Sequence, residues 1–514
     1  MICLSGHKLE IKDVYEVAHG KCKIYIDPSC RRKVETARTE FIQHLEKNSK
    51  IYGVTTGLGS LCCEKGGTPS SLHLALSHAI ALGDPMPLEY VRSAILVRIN
   101  TLLQGFSACR FCIIELLVEL LNRNLTPLVP QFGSLSCSGD LCLLAYIVLV
   151  LSCPAEGEES VDLDVDFQGQ KMKSSEAFQL AGLQKIVLES KEGLSLCNGS
   201  SFLTGVAALA CYESEKMYHL LQGSYSMMME ALGAREEILN PAIHQSRNQK
   251  GQMEFATSVS LLLKDSEWVD FFGEKNVQDA YSLRCGPQVH GVFYDTLDYC
   301  QKIVTRELMA ATDNPLWFGK ERGMISGGNF HGAPIARVMD FLKIELADQM
   351  SMSERRQFSI LNGTRNLPLM LTSLAGLHSG YMITQYTSAS LLQRIWHQSF
   401  PDSVTNVTTC GNMEDHNSNG WNAALHCMDC LSHCFDIVAM EYLLATRALV
   451  IRRQLSLEWR EKKMGKWTSQ AFQQLEPCVS SSHQDHFLGK ELENISKIIR
   501  SNAFIDSLSS ISKK

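Results

Sequence analysis

From residue 422 to residue 455 the chain runs for 34 residues without a glycine or a proline. A continuous α-helix of that length is about 50 Å long, enough to cross a large domain. Helices gain most of their stability from the faces they bury, so this one requires several neighbours along its length. Residues 201–234 and 335–356 also lack proline and are rich in Ala, Leu, Met and Glu. Residues 88–124 carry apolar side chains at three- and four-residue spacing, interrupted near Gly105. The chain is therefore expected to be mainly α, with long helices packed in a bundle and against other subunits.

One segment reads differently. Residues 161–167 alternate strictly and Gln168-Gly169-Gln170 follows, which predicts a hairpin over 161–173. Together these patterns predict a mixed N-terminal domain over residues 1–200. A helical bundle core and C-terminal helical region follow over 201–514.

With 514 residues and 45% hydrophobic content, the chain can bury a large core. Its net charge of −7, with both signs interspersed, offers no footprint for nucleic acid. The start lacks the charged and apolar regions of a signal peptide, and the apolar run 141–153 is short for a bilayer and reads as a buried helix. Nineteen scattered cysteines are an odd count, favouring free thiols over a disulfide framework. A cytoplasmic location with no membrane partner is expected. Cys427, Cys430, His433 and Cys434 have metal-like spacing, but all fall within the long predicted helix, where zinc ligand pairs would need an intervening turn. No metal is expected there. Gly53 to Gly59 is not a nucleotide loop, because no Gly-Lys-Ser/Thr follows it.

The chemistry points to Gly133-Ser134-Leu135-Ser136-Cys137-Ser138-Gly139-Asp140-Leu141. Gly139 has no side chain to block a tight turn, so its amide nitrogen can attack the carbonyl of residue 137. Loss of that water, and of the Ser138 hydroxyl as a second, leaves a ring with an exocyclic methylidene. No ordinary side chain is electrophilic, so such a ring would mark an enzyme. Taken alone, Ser-Gly is also a common loop or helix cap.

Further stretches give that triplet a context. They include Tyr52-Gly53-Val54-Thr55-Thr56-Gly57-Leu58-Gly59, Asn198-Gly199, Gln278-Asp279-Ala280-Tyr281-Ser282-Leu283-Arg284-Cys285 and Pro287-Gln288-Val289-His290-Gly291. Ala311-Thr312-Asp313-Asn314-Pro315, Gly327-Gly328-Asn329-Phe330-His331-Gly332 and Ser353-Glu354-Arg355-Arg356 follow in order. With these motifs the chain resembles the ammonia-lyases that build a 4-methylidene-imidazol-5-one (MIO) from an Ala-Ser-Gly triplet. The resemblance runs from about Tyr52 to about Gly420. It implies an MIO formed from Cys137-Ser138-Gly139, no external cofactor, and a homotetramer whose active sites draw on several subunits.

The resemblance also implies roles. Tyr52 would take the β-proton, which requires a phenol pKa depressed by nearby donors or helix N-termini. Arg284 would clamp the substrate carboxylate with its planar guanidinium. Tyr281 would assist proton transfer or position the ring, with Gln278 beside it. Asn198 would bond the carboxylate or the MIO oxygen, and Phe330 would pack on substrate or electrophile.

Ser77-His78 and Glu414-Asp415-His416 resemble the histidine-specific members of the family. His78 and Glu414 offer the polar partners an imidazole needs. A phenyl ring would leave them unpaired at about 1–3 kcal/mol each. The implied reaction is conversion of L-histidine to trans-urocanate and ammonia. Phenylalanine or tyrosine ammonia-lyase, an aminomutase, and a non-catalytic paralogue remain as alternatives. Departures from the family pattern motivate the last: Cys137 for alanine, Ser136 for glycine, Leu143 and Tyr146 for proline and histidine, Met413 for glutamine, and Gly286 for a larger apolar residue.

Overall fold

The structure, a computed structural model, describes residues 1–47, 50–63, 70–136, 141–159, 161–275 and 277–512. It is mainly helical. The long glycine- and proline-free run forms one helix, Gly420–Leu455, which begins two residues before the run and ends at its last residue. Ser201–Leu232, Gly286–Leu308 and Ala333–Leu361 are the other helices longer than twenty residues among the described residues. Residues 88–124 fold as two helices, Leu88–Leu102 and Phe111–Asn122, parted by a turn at Gly105.

The contacts divide the chain into two compact units. The first combines Met1–Tyr212, Cys300–Asp340 and Pro401–Leu425; the second combines Glu213–Tyr299, Phe341–Phe400 and His426–Lys514. The first unit is thus assembled from three segments rather than one continuous stretch; four of the five divisions fall inside the four long helices, and the fifth follows Phe400 in a loop.

All the strands among the described residues belong to the first unit, and they are short. Asp164–Phe167 and Gln170–Lys173 pair antiparallel around the turn Gln168-Gly169, and Leu125–Pro127 adds a third strand. Both turn residues have positive φ (55° and 86°), the backbone that matches the twist of a two-residue hairpin. Gln170 is therefore a strand residue rather than part of the turn, and the pairing starts at Asp164. Upstream, the Asp162 carboxylate instead accepts from the Ser175 amide and the Ser174 hydroxyl, at 2.9 and 2.7 Å, at the start of helix Ser174–Ala181.

The core of this unit is built around Leu88–Leu102, in which every residue from Tyr90 to Leu102 is buried. Its polar side chains have work there. Arg92 donates to the carbonyls of Val17, Ala18 and Leu121 at 2.9–3.3 Å. These lie at or near the C-terminal ends of helices Ile11–Ala18 and Phe111–Asn122, where carbonyls lack helical partners and a cation is favoured.

The second unit is helical throughout its described residues, apart from loops and 3₁₀ turns. Among the described residues, one stretch, Glu192–Leu232, is long and apolar enough to cross a membrane. Its most apolar window is 94% buried within the protein, as a core helix is. Cys142–Leu151 is likewise a short buried helix. Cys427, Cys430, His433 and Cys434 all lie on Gly420–Leu455, with the three thiols buried.

Candidate active site

The Gly-rich loop closes on its own tyrosine. The Gly59 amide donates to the Tyr52 hydroxyl oxygen at 2.9 Å, with Gly59 at φ 52°. A β-carbon on Gly59 would fall 2.2 Å from Cys410 Sγ, so only glycine fits between the two loops. Cys410 Sγ in turn accepts from the Ser60 amide at 3.4 Å.

This loop forms part of a cavity of about 530 Å³ within the first unit. Tyr52, His78, Asn198, Phe330 and Glu414 all line it, together with Leu141. His78 caps the end of helix Ser71–His78, and its Nδ1 lies 2.8 Å from the Leu74 carbonyl. A carbonyl only accepts, so Nδ1 carries the proton and Nε2 is left as the acceptor. Glu414 Oε2 accepts from the Thr409 hydroxyl at 2.6 Å, within a short antiparallel bridge between the two residues. Asn198 donates from Nδ2 to the Asn314 carbonyl at 3.1 Å, while its buried Oδ1 has no hydrogen-bond partner among the described residues.

Tyr52 departs from expectation. Half-burial pushes its phenol above the ordinary tyrosine range, and the nearby Cys62, Cys410 and Glu414 push the same way. The Gly59 amide opposes this but does not outweigh it. Nothing around Tyr52 within the described residues makes it the depressed phenol that a base requires.

Gln278, Tyr281 and Arg284 belong to the second unit and are not among the residues lining this cavity. Gln278 and Tyr281 are exposed, Tyr281 to 68%. The Arg284 guanidinium lies 4.7 Å over the Tyr281 ring, and its Nε donates to the Asp279 carbonyl at 3.2 Å. The triplet Cys137-Ser138-Gly139 lies outside the described residues.

The cavity also includes groups the sequence reading did not assign. His331 Nε2–H donates to the His416 carbonyl at 3.0 Å while its Nδ1 accepts from the Ala333 amide at 3.3 Å, and the two imidazoles stack 5.8 Å apart. Proximity to Phe330 in its motif was a signal for His331. Cys410 carried none, since only the fold brings it to Ser60.

Residues 9–477 match the aromatic amino acid lyase family. The chain belongs to that family. It is an ammonia-lyase family enzyme. The histidine ammonia-lyase of Caldanaerobacter subterraneus subsp. tengcongensis is 36% identical to it over 505 residues, covering 97% of this chain and 96% of the relative. Among solved structures, the histidine ammonia-lyase of Trypanosoma cruzi superposes with a TM-score of 0.87 at 27% identity, covering 99% of this chain and 95% of the other. The phenylalanine aminomutase of Pantoea agglomerans superposes with a TM-score of 0.89 at 26% identity, covering 98% and 100%.

Ser136 and Tyr146 are two of this lyase's departures from the family pattern whose surroundings are visible. Ser136 sits at φ 55°, a left-handed backbone that costs a non-glycine residue about 1–2 kcal/mol. Its carbonyl is held by the Gly332 amide at 3.2 Å and the Ser418 hydroxyl at 2.9 Å. Tyr146, in helix Cys142–Leu151, donates its hydroxyl to the Ala81 carbonyl at 3.3 Å. Met413 is exposed and lines the same cavity, and nothing in the structure explains its exchange for glutamine.

Proposed function

We propose that this lyase is a histidine ammonia-lyase, converting L-histidine to trans-urocanate and ammonia. One observation carries the substrate choice: His78 and Glu414 line the same cavity, with His78 Nε2 and a Glu414 carboxylate oxygen as acceptors. An imidazole supplies an N–H donor to such a group and a phenyl ring has none. Leaving such a half-buried acceptor unpaired costs up to about 1–3 kcal/mol. The His78 proton is already engaged by Leu74, so His78 serves here as an acceptor only.

The family's members use an MIO, and the cavity fits one. Leu141, two residues past Gly139, and Asn198, whose amide nitrogen is a donor, share its wall. Formed from Cys137-Ser138-Gly139, the group would supply an electrophilic methylidene, a reactivity that side chains lack. No external cofactor is then required.

The chain's own residues hold and deprotonate the substrate. Arg284 anchors the carboxylate through its planar donor face, with Gln278 and Tyr281 beside it. Asn198 adds an amide donor. Phe330 packs against the substrate. Tyr52 takes the proton from the β-carbon, and Tyr281 assists its transfer. The substrate's ammonium group brings positive charge to the Tyr52 phenol and so favours its ionised form. Exposure of Tyr281 and Gln278 fits a homotetramer in which each active site takes these residues from a neighbouring subunit. Eighteen free thiols among the described residues accord with a reducing, cytoplasmic setting.

Turnover of L-histidine, L-tyrosine and L-phenylalanine by the purified protein tests the reading. Release of urocanate from histidine, with little product from the other two, is expected. Preference for tyrosine or phenylalanine, or formation of a β-amino acid, would replace the imidazole assignment.

A further inference from the structure

The helix Tyr281–Arg284 is only four residues long. A single turn leaves backbone carbonyls that need partners from elsewhere. Two of them are met by buried side chains of the second unit. The Tyr225 hydroxyl donates to the Leu283 carbonyl at 2.5 Å, and Arg356 Nη1 donates to the Ser282 carbonyl at 3.2 Å. Both side chains are fully buried.

Arg356 is itself fixed on two other sides. Its Nε and Nη2 donate to the Glu441 carboxylate at 2.5 and 3.2 Å, and Glu441 also accepts from the hydroxyls of Ser224 and Ser353. Nη1 further donates to His290 Nε2 at 3.0 Å. Ahead of the turn, the Asp279 carboxylate accepts from the Arg235 amide at 2.7 Å and from the Arg365 guanidinium.

Gly286 completes the arrangement. A β-carbon there would fall 2.4–2.6 Å from three atoms of Tyr225, its hydroxyl oxygen among them. The larger apolar residue that the family pattern places after Cys285 would displace that ring from Leu283. The departure at 286 and the bond from Tyr225 are thus a single feature of this chain.

We propose that Tyr225 and Arg356 are positioning residues that orient Tyr281 and Arg284 by clamping the carbonyls of Leu283 and Ser282, with Gly286 making room for the clamp. The inference rests on the reading that Tyr281 and Arg284 act on the substrate.

Tyr225→Phe keeps the ring and removes one O–H. In steady-state assays of the intact enzyme with L-histidine, it is expected to lower kcat/KM by about tenfold. In a Tyr281→Phe/Arg284→Ala background it is expected to have no further effect, because the groups it positions are gone. Gly286→Ala, which pushes on the same ring, is expected to reproduce the Tyr225→Phe defect and not to add to it. Unchanged kcat/KM in Tyr225→Phe, or the same loss in both backgrounds, overturns the clamp and leaves a purely structural role. Full activity in Tyr281→Phe/Arg284→Ala overturns the catalytic assignment itself, and the clamp with it.

Discussion

Lys191 Nζ and Asp313 Oδ2 lie 2.5 Å apart, and neither side chain reaches solvent. The other carboxylate oxygen of Asp313 accepts from the Asn314 amide at 2.7 Å, and the Asn314 carbonyl holds Asn198. Lys191 also donates to the Ser195 hydroxyl at 3.1 Å. A buried ion pair therefore stands two bonds behind a cavity residue.

Removing one partner of this pair leaves a bare charge in the interior. Asp313→Asn is expected to destabilise the fold by about 3–5 kcal/mol. The double variant Lys191→Met/Asp313→Leu should recover much of that loss, since neither charge is then buried. Urea unfolding of the three proteins checks both statements. Equal stability of Asp313→Asn and the parent would mean the pair is not desolvated.

The electrophile has a direct signature. A peptide spanning residues 133–146 is expected to weigh two waters less than its sequence, and Ser138→Ala should abolish both the deficit and turnover. An unmodified mass in folded protein would move the non-catalytic paralogue to first place.

Substrate choice should follow the two cavity acceptors. His78→Leu and Glu414→Leu are each expected to lower kcat/KM for histidine by about 10- to 100-fold, the range that one unpaired polar contact spans. Neither should harm phenylalanine turnover to the same degree. Equal losses on both substrates would show that these residues shape the cavity without reading the ring.

His290 makes stability depend on pH. Burial, then the neighbouring Arg356 charge, push its imidazole down to about 3 in the folded protein, whereas an exposed histidine titrates near 6.5. The unfolded chain thus binds the extra proton first as pH falls. The stabilisation is complete above about pH 6.5 and is lost progressively towards pH 3, at up to about 1.4 kcal/mol per pH unit. His290→Gln, which keeps an acceptor for Arg356, should flatten the slope between pH 6.5 and 5 in denaturant melts. An unchanged slope would assign it to other groups.

Long elements were legible because one exclusion rule defines them. A stretch with no glycine or proline has few alternatives to helix, and Gly420–Leu455 follows it closely. Three-residue strands such as Ile2–Leu4 and Ile24–Ile26 escaped, since so short a run has no period and its partner lies far along the chain. The candidate site divides in the same way. Motif order named Tyr52, His78, Asn198, Phe330 and Glu414, which line one cavity. Local sequence could not give the Tyr52 environment, because burial and Glu414 together oppose ionisation there. Nor could it give the meaning of Gly286, which depends on a ring sixty-one positions earlier, at Tyr225.

The bond from the Gly59 amide to the Tyr52 hydroxyl ties the ends of an eight-residue loop together through a side chain. The reach of a tyrosine is fixed, so the number of residues between those ends is fixed too. Evolution can exchange side chains within the loop, but an insertion or deletion there would detach the phenol from its tether. Among related sequences, this stretch should vary in composition and hold its length.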